Sequence, residues 1–148
     1  MSLEEKINGE IKKAMLAKDA GRLNALRAIK SAILLLKTDK NVGEITSEVE
    51  ISLLQKLVKQ RREAADIYKQ QNRTDLYDEE MSQVVVIEDF LPAQLSEEEV
   101  RTIVKNVIEK VGASSVKDMG KVMGMATKEL AGKAEGKLVA SLVKELLS

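Results

Sequence analysis

Apolar residues recur every three or four positions along most of the chain, and this spacing is the period of an amphipathic α-helix. Leu23, Leu26, Ile29 and Ile33 form the clearest such line. The valine and isoleucine run at 84–87 is interpreted as helix, because no neighbouring segment supplies a partner strand. In the first 91 residues the pattern predicts four helices, at about 3–17, 20–38, 47–71 and 75–90.

Residues that favour caps and turns separate these helices. Asp19 is placed to cap the second helix, and Ser47 with Glu50 fits a capping box at the start of the third. Asn72 suits a left-handed turn after the third helix, since asparagine tolerates that conformation. Pro92 disfavours helical geometry in the residue before it, so the fourth helix is expected to end there.

The same signals occur in the last third of the chain. Ser96 and Glu99 form a second capping box, which predicts the start of a fifth helix. Gly112 is expected to close that helix, because glycine adopts the left-handed conformation of helix ends. A sixth and a seventh helix are predicted to begin near Asp118 and Gly136.

Together these segments predict an all-α protein. Its 148 residues suffice for one average domain or two small ones. Residues 92–95 look like a hinge between two groups of helices. We therefore expect a four-helix bundle in residues 1–91 and a three-helix bundle in residues 96–148, joined near Pro92.

The composition limits the chemistry that the chain can perform. It contains no cysteine and no histidine, and only 2% of its residues are aromatic. The most common general base and metal ligand are missing, so we expect no catalytic residue, no metal site and no cofactor. A membrane span needs about 20 apolar residues, and neither such a stretch nor a signal peptide is recognisable. These features predict a cytoplasmic protein without a membrane partner.

Charge is distributed unevenly although the net charge is zero. Residues 1–73 carry a net charge of +5, and residues 100–148 carry +4. Between them, residues 74–99 hold 9 acidic side chains and no lysine or arginine. Neutrality argues against strong non-specific binding of nucleic acids, but leaves room for a basic patch on the C-terminal helices.

Arg61 stands out because it lies within the apolar stripe of the third helix. A half-buried guanidinium group needs acidic partners. Asp75 and Glu80 on the next helix are the candidates for a structural ion pair that joins the two helices. The alternative is that Arg61 anchors an anionic ligand.

Two glycine-rich pieces are the most unusual part of the sequence. Gly120 and Gly124 fall inside a predicted helix, where each glycine costs about 1 kcal/mol relative to alanine. We expect them to allow close helix packing, or close approach of a partner's backbone. The piece Gly132–Lys137 is similar to a phosphate-binding loop, but its spacing is one residue short and no strand precedes it. It is expected to form either a tight turn or a helix start that receives a phosphate.

Five motifs follow one another along the chain: Arg73-x-Asp75-Leu76, Glu80, Leu91-Pro92-x-x-Leu95, Asp118-Met119-Gly120-Lys121-Val122-Met123 and Gly132-Lys133-Ala134-Glu135-Gly136-Lys137. Their combination resembles the GatB/YqeY family, and the match extends over nearly the whole chain. That family shares this region with the tail of the B subunit of the glutamine-dependent aminoacyl-tRNA amidotransferase. The resemblance implies two α-helical bundles, in agreement with the pattern of apolar residues.

The resemblance also implies a function. It indicates a non-catalytic module that binds tRNA or another RNA, with Lys121, Lys133 and Lys137 as contacts and with Gly120 and Gly136 giving access to the backbone. One alternative is an adaptor that binds a protein partner. Another is an accessory role in a carbon–nitrogen ligase that uses glutamine as amido donor, although the chain lacks the catalytic groups that such a reaction needs.

Overall fold

The computed structural model describes residues 1–148 and contains helices but no β-strands. A short 3₁₀ turn at Val116–Asp118 directly precedes the sixth helix. The predicted all-α class is confirmed, and every predicted helix has an observed counterpart. The helices are α1 (Leu3–Leu16), α2 (Ala20–Thr38), α3 (Ser47–Gln70), α4 (Thr74–Glu88), α5 (Glu97–Val111), α6 (Met119–Glu129) and α7 (Gly136–Leu147).

The chain divides into two compact units, which we call the N-terminal unit (Met1–Leu91) and the C-terminal unit (Pro92–Ser148). Each unit buries an apolar core of its own, and this supports the proposal that the units are separate domains. The N-terminal core includes Ile7, Leu26, Ile29, Leu54 and Ile87. The C-terminal core includes Val100, Val104, Val107, Val122, Leu142 and Val143.

The apolar run in α4 has the burial pattern of a helix. Val84 and Ile87 are three residues apart and both are buried, whereas Val85 is 62% exposed. Residues three apart share one face of a helix, while they would point to opposite faces of a strand. The helical interpretation of this run is therefore confirmed.

Side-chain caps mark the starts of several helices. The capping box at Ser96 is observed, with hydrogen bonds in both directions. The predicted box at Ser47 is wrong by one residue, because Thr46 caps α3 instead. The Glu50 carboxylate, which the box would have used, accepts a hydrogen bond from the Leu3 amide at 2.8 Å. Glu50 therefore ties the start of α1 to α3 rather than capping its own helix.

Arg61 does not have the acidic partners that the sequence suggested. Its Nε donates a hydrogen bond to Oε1 of Gln83 at 2.8 Å, and its Nη1 donates to the Leu57 carbonyl at 3.2 Å. Asp75 instead accepts two hydrogen bonds from the neighbouring Arg73, each at 3.2 Å. The guanidinium group thus joins α3 to α4, but through a neutral amide.

The reason is the register of the α3–α4 hairpin. Helices joined by a short turn run antiparallel. The turn is centred near Asn72, which has the predicted left-handed conformation with φ 57°. Residues equally far from this turn lie level with each other, and this places Arg61 beside Gln83. Asp75 lies eight residues before Gln83, about 12 Å away along a helix axis.

The prediction that Gly120 and Gly124 pack closely within the fold is wrong. Both residues are exposed, and a Cβ atom added to either one would meet no atom within 4 Å. At about 100° per residue they lie about 160° and 200° around α6 from the buried Val122. They are on the outer side of the helix, so internal packing does not explain them.

We expect the pairing of Arg61 to appear in double-mutant cycles. Arg61→Ala combined with Gln83→Ala should show a coupling of about 1 kcal/mol, because each single variant already breaks the shared hydrogen bond. Arg61→Ala combined with Glu80→Ala should be additive within about 0.3 kcal/mol. Denaturant unfolding of the six proteins measures both couplings. A larger coupling with Glu80 than with Gln83 would contradict the observed pairing.

We also expect alanine at the exposed glycines of α6 to stabilise the protein. Gly120→Ala and Gly124→Ala should each raise the free energy of unfolding by about 0.5–1 kcal/mol, since the new methyl group meets no clash. The control is Gly112→Ala, which should lower stability because Gly112 has φ +66°. Thermal unfolding followed by circular dichroism tests this. Destabilisation by both α6 variants would show that the glycines do have a packing role.

Candidate functional site

The turn between α6 and α7 is built around a glycine with an unusual backbone. Gly132 is buried and has φ 76°, a left-handed conformation that glycine adopts without strain. The amide of Lys133 then donates a hydrogen bond to the Leu130 carbonyl at 2.8 Å. Leu130 and Ala134 on either side of the turn are buried in the C-terminal core. The turn is therefore anchored from below by apolar contacts.

A second set of hydrogen bonds holds the turn from residues 92–95. The Leu95 amide donates to the Lys133 carbonyl at 2.9 Å. The Gln94 side-chain amide donates to the Gly132 carbonyl at 2.6 Å and to the Pro92 carbonyl at 2.9 Å. These residues belong to the C-terminal unit, so the segment predicted as a hinge is bound to this turn. Sequence reasoning missed Gln94, whose only signal was its place in the Leu-Pro-x-x-Leu motif.

The Gly132 and Lys133 carbonyls accept hydrogen bonds from residues 94 and 95, whereas the lysine side chains of the turn face the solvent. Lys133 and Lys137 are exposed, as is Gly136, the first residue of α7. The N-cap of α7 is Glu135, and its side chain makes no capping hydrogen bond. The first amides of α7 therefore lack the side-chain acceptor that Ser96 provides to α5. Such amides, with two lysines beside them, suit an anionic group.

Lys121 is not part of this turn. It lies on α6, eight residues before Glu129 at the end of that helix, a distance of about 12 Å along the axis. Its side chain is exposed, next to the exposed Gly120. The structure thus brings Lys133, Lys137 and Gly136 together at one turn, and places Gly120 and Lys121 on the outer side of α6.

These lysines have no acidic partner within the C-terminal unit. Arg101 forms salt bridges with Glu97 at 3.8 Å and with Glu145 at 3.3 Å. Asp118, the acidic residue nearest to Lys121 along the chain, accepts a hydrogen bond from the Ser114 amide at 3.0 Å. None of Lys121, Lys133 and Lys137 takes part in these salt bridges, and the side chains of all three are exposed.

The candidate site is made of lysine side chains and glycines on the surface of the C-terminal unit. No cluster of three or more acidic side chains has the geometry to hold a metal ion. None of the helices combines the length and the apolar composition that crossing a bilayer requires. The site offers helix-start amides without a side-chain cap and exposed lysines, which are groups that proteins use to contact phosphates.

Relatives of this chain occur in fungi. A protein of Pyrenophora tritici-repentis is 26% identical over 147 residues, which is 96% of this chain and 79% of the relative. Proteins of Lachancea thermotolerans and Clavispora lusitaniae are 30% and 31% identical, over 72% and 71% of this chain. The chain spans only 58% and 62% of these two relatives. All three are named "Altered inheritance of mitochondria protein 41, mitochondrial".

These names correct one prediction. A cytoplasmic location was expected because the sequence showed no targeting segment. The prediction is wrong by this comparison, because the relatives are named as mitochondrial proteins. The lack of cysteine and of long apolar segments is compatible with either compartment, so these features could not decide between them.

The family resemblance suggested by the five motifs is confirmed. A family model described as "Yqey-like protein" matches residues 4–147. This range includes all seven helices except for one residue at the start of α1. It also includes the α6–α7 turn and the whole outer side of α6. The chain therefore belongs to the YqeY-like protein family.

Proposed function

We propose that this protein is a non-catalytic RNA-binding module that contacts the phosphate backbone of tRNA through its C-terminal unit. The observation that carries the proposal is the set of exposed lysines, Lys121, Lys133 and Lys137, none of which has an acidic partner. Phosphate contacts by lysine supply most of the sequence-independent affinity for nucleic acids. The uncapped start of α7 adds amide donors next to Lys133 and Lys137.

The remainder of the surface supports contacts with the backbone rather than with the bases. Single-stranded bases are usually held by stacking on aromatic side chains. The three aromatic residues, Tyr68, Tyr77 and Phe90, all lie in the N-terminal unit. The C-terminal unit therefore has no aromatic side chain on which a base could stack. Recognition there would depend on the shape and charge of a structured RNA, and tRNA is a compact example of such an RNA.

An adaptor that binds a protein partner is the second candidate function. It is favoured by large apolar side chains on the surface of the N-terminal unit, including Leu35, which is 71% exposed. Ile67 and Val85 are further examples on α3 and α4. Exposed apolar residues of this size are common at protein–protein interfaces when they are contiguous. The two functions are compatible, since they concern different units.

We expect the protein to bind an unmodified tRNA transcript with a clear dependence on salt. The triple variant Lys121→Ala/Lys133→Ala/Lys137→Ala should bind more weakly. The slope of log K against log salt, which is negative, should become less steep by about 2–3, because each lost phosphate contact removes slightly less than one from its magnitude. Filter binding at four or five salt concentrations measures the slope.

The matched control is Lys12→Ala/Lys56→Ala/Lys59→Ala, which removes three exposed lysines from the N-terminal unit and changes the net charge equally. This control should bind like the wild-type protein. If the two triple variants lose the same affinity, these C-terminal lysines are not the contact site. If the wild-type protein does not bind tRNA, the proposed function is wrong.

A further inference from the structure

One face of α6 combines glycine and lysine in a way that the fold does not use. At about 100° per residue, Gly120, Gly124, Lys128 and Lys121 lie at about 160°, 200°, 240° and 260° from the buried Val122. All four are exposed, and we call this set the α6 face. It points away from the core formed by Val122 and Ala126.

The glycines of the α6 face destabilise the helix, and no contact within the chain offsets this cost. Each costs about 1 kcal/mol relative to alanine, and neither has any atom within 4 Å of an added Cβ. Gly9 in α1 has equally open surroundings. However, its neighbours one turn away are Glu5 and Lys13, which form a mixed surface. Only on α6 do two such glycines stand one turn apart among lysines.

The charge of the α6 face has one sign. Lys121 and Lys128 lie seven residues apart, about 10 Å along the axis, with Gly124 between them. The single acidic residue of α6, Glu129, lies about 100° around the helix from Lys128. Neither lysine takes part in the salt bridges of the unit. A ligand on this face would therefore be anionic.

We propose that the α6 face is the surface on which a phosphate backbone of the RNA lies, with a strand that follows the helix from Lys121 to Lys128 and rests on Gly124. This inference rests on the proposed function and deepens it, because it adds Gly124 and Lys128 and gives the direction of the strand. The absence of a Cβ atom at Gly120 and Gly124 lets the sugar–phosphate chain approach the helix closely. The lysines at either end supply the charge.

A packed protein helix is the other occupant that glycines four residues apart would suit. Such an interface also needs apolar side chains around the glycines, since burial of apolar surface drives the association of helices in water. The α6 face has none. The large exposed apolar residue of the C-terminal unit is Val116, which lies outside α6 in the preceding 3₁₀ turn. A polar and cationic face without side chains at two positions fits phosphates better.

The glycines allow a test in which stability and binding change in opposite directions. The double variant Gly120→Ala/Gly124→Ala should unfold at a higher temperature than the wild-type protein. It should bind the tRNA transcript at least about threefold more weakly, because the added methyl groups keep the phosphates farther from the helix and its lysines. Gly9→Ala is the matched control, an exposed helical glycine in the other unit. It should gain stability with no change in affinity.

The charge is tested with a second matched pair. Lys128 and Lys110 are exposed lysines in the last turns of α6 and α5, so their removal has the same effect on the net charge and on the helix dipole. Lys128→Ala should lower the salt slope of tRNA binding by slightly less than one, whereas Lys110→Ala should leave it unchanged.

The outcomes separate this inference from the proposed function. If the wild-type protein binds tRNA but the double glycine variant and Lys128→Ala bind equally well, the α6 face is not the RNA surface, and the contacts are those of the α6–α7 turn. If the double glycine variant keeps its RNA affinity and loses a protein partner, the face belongs to a protein and the inference is wrong. If the wild-type protein does not bind tRNA at all, the proposed function itself is wrong.

Discussion

The burial of one narrow apolar stripe on each helix determines both the packing of this protein and the surface that it leaves outside. In α6 the stripe is short. Val122 and Ala126 are buried against α5 and α7, and the two residues are one helical turn apart. Because an α-helix turns by about 100° per residue, burying Val122 directs Gly124 and Lys128 to the opposite side. The composition of the outer side of α6 is thus independent of the core, and it is free to serve another purpose.

Local signals predicted the helix boundaries well where the capping residue competes with nothing else. Ser96 and Glu99 bond to each other because both lie at an exposed helix start, and Gly112 closes α5 in the left-handed conformation. Ser47 does not cap α3, for one local and one tertiary reason. Thr46, one residue earlier, has an equally suitable hydroxyl group, and the Glu50 carboxylate bonds to the Leu3 amide of another helix. A capping box read from the sequence assumes that the glutamate is free.

Interactions between helices were harder to predict, because they depend on register. The sequence showed that Arg61 lies on the buried stripe of α3, and the structure agrees that it is half-buried. Its partner depends on how far each residue lies from the turn at Asn72. That distance favours Gln83, whose neutral amide is not the expected partner of a guanidinium group. Charge identifies which groups need a partner, and geometry decides which partner they receive.

The glycines of α6 show the same limit at the candidate site. Their position within the helix was clear from the sequence, but whether a neighbouring element covers them is a property of the tertiary structure. Because the space beside them is open, internal packing does not explain these glycines. The cost of about 1 kcal/mol for each is not balanced by any contact within the chain. Local choices that oppose the fold are expected at sites of function, because selection for binding can maintain them against their effect on stability. The Gly132 turn is the opposite case. There the glycine satisfies a backbone conformation that the fold requires, and residues 94 and 95 bond to it directly. Two glycine-rich pieces that look alike in the sequence therefore have different physical settings: one shapes the turn between two helices, and the other lies on an open helix surface that nothing in the chain covers.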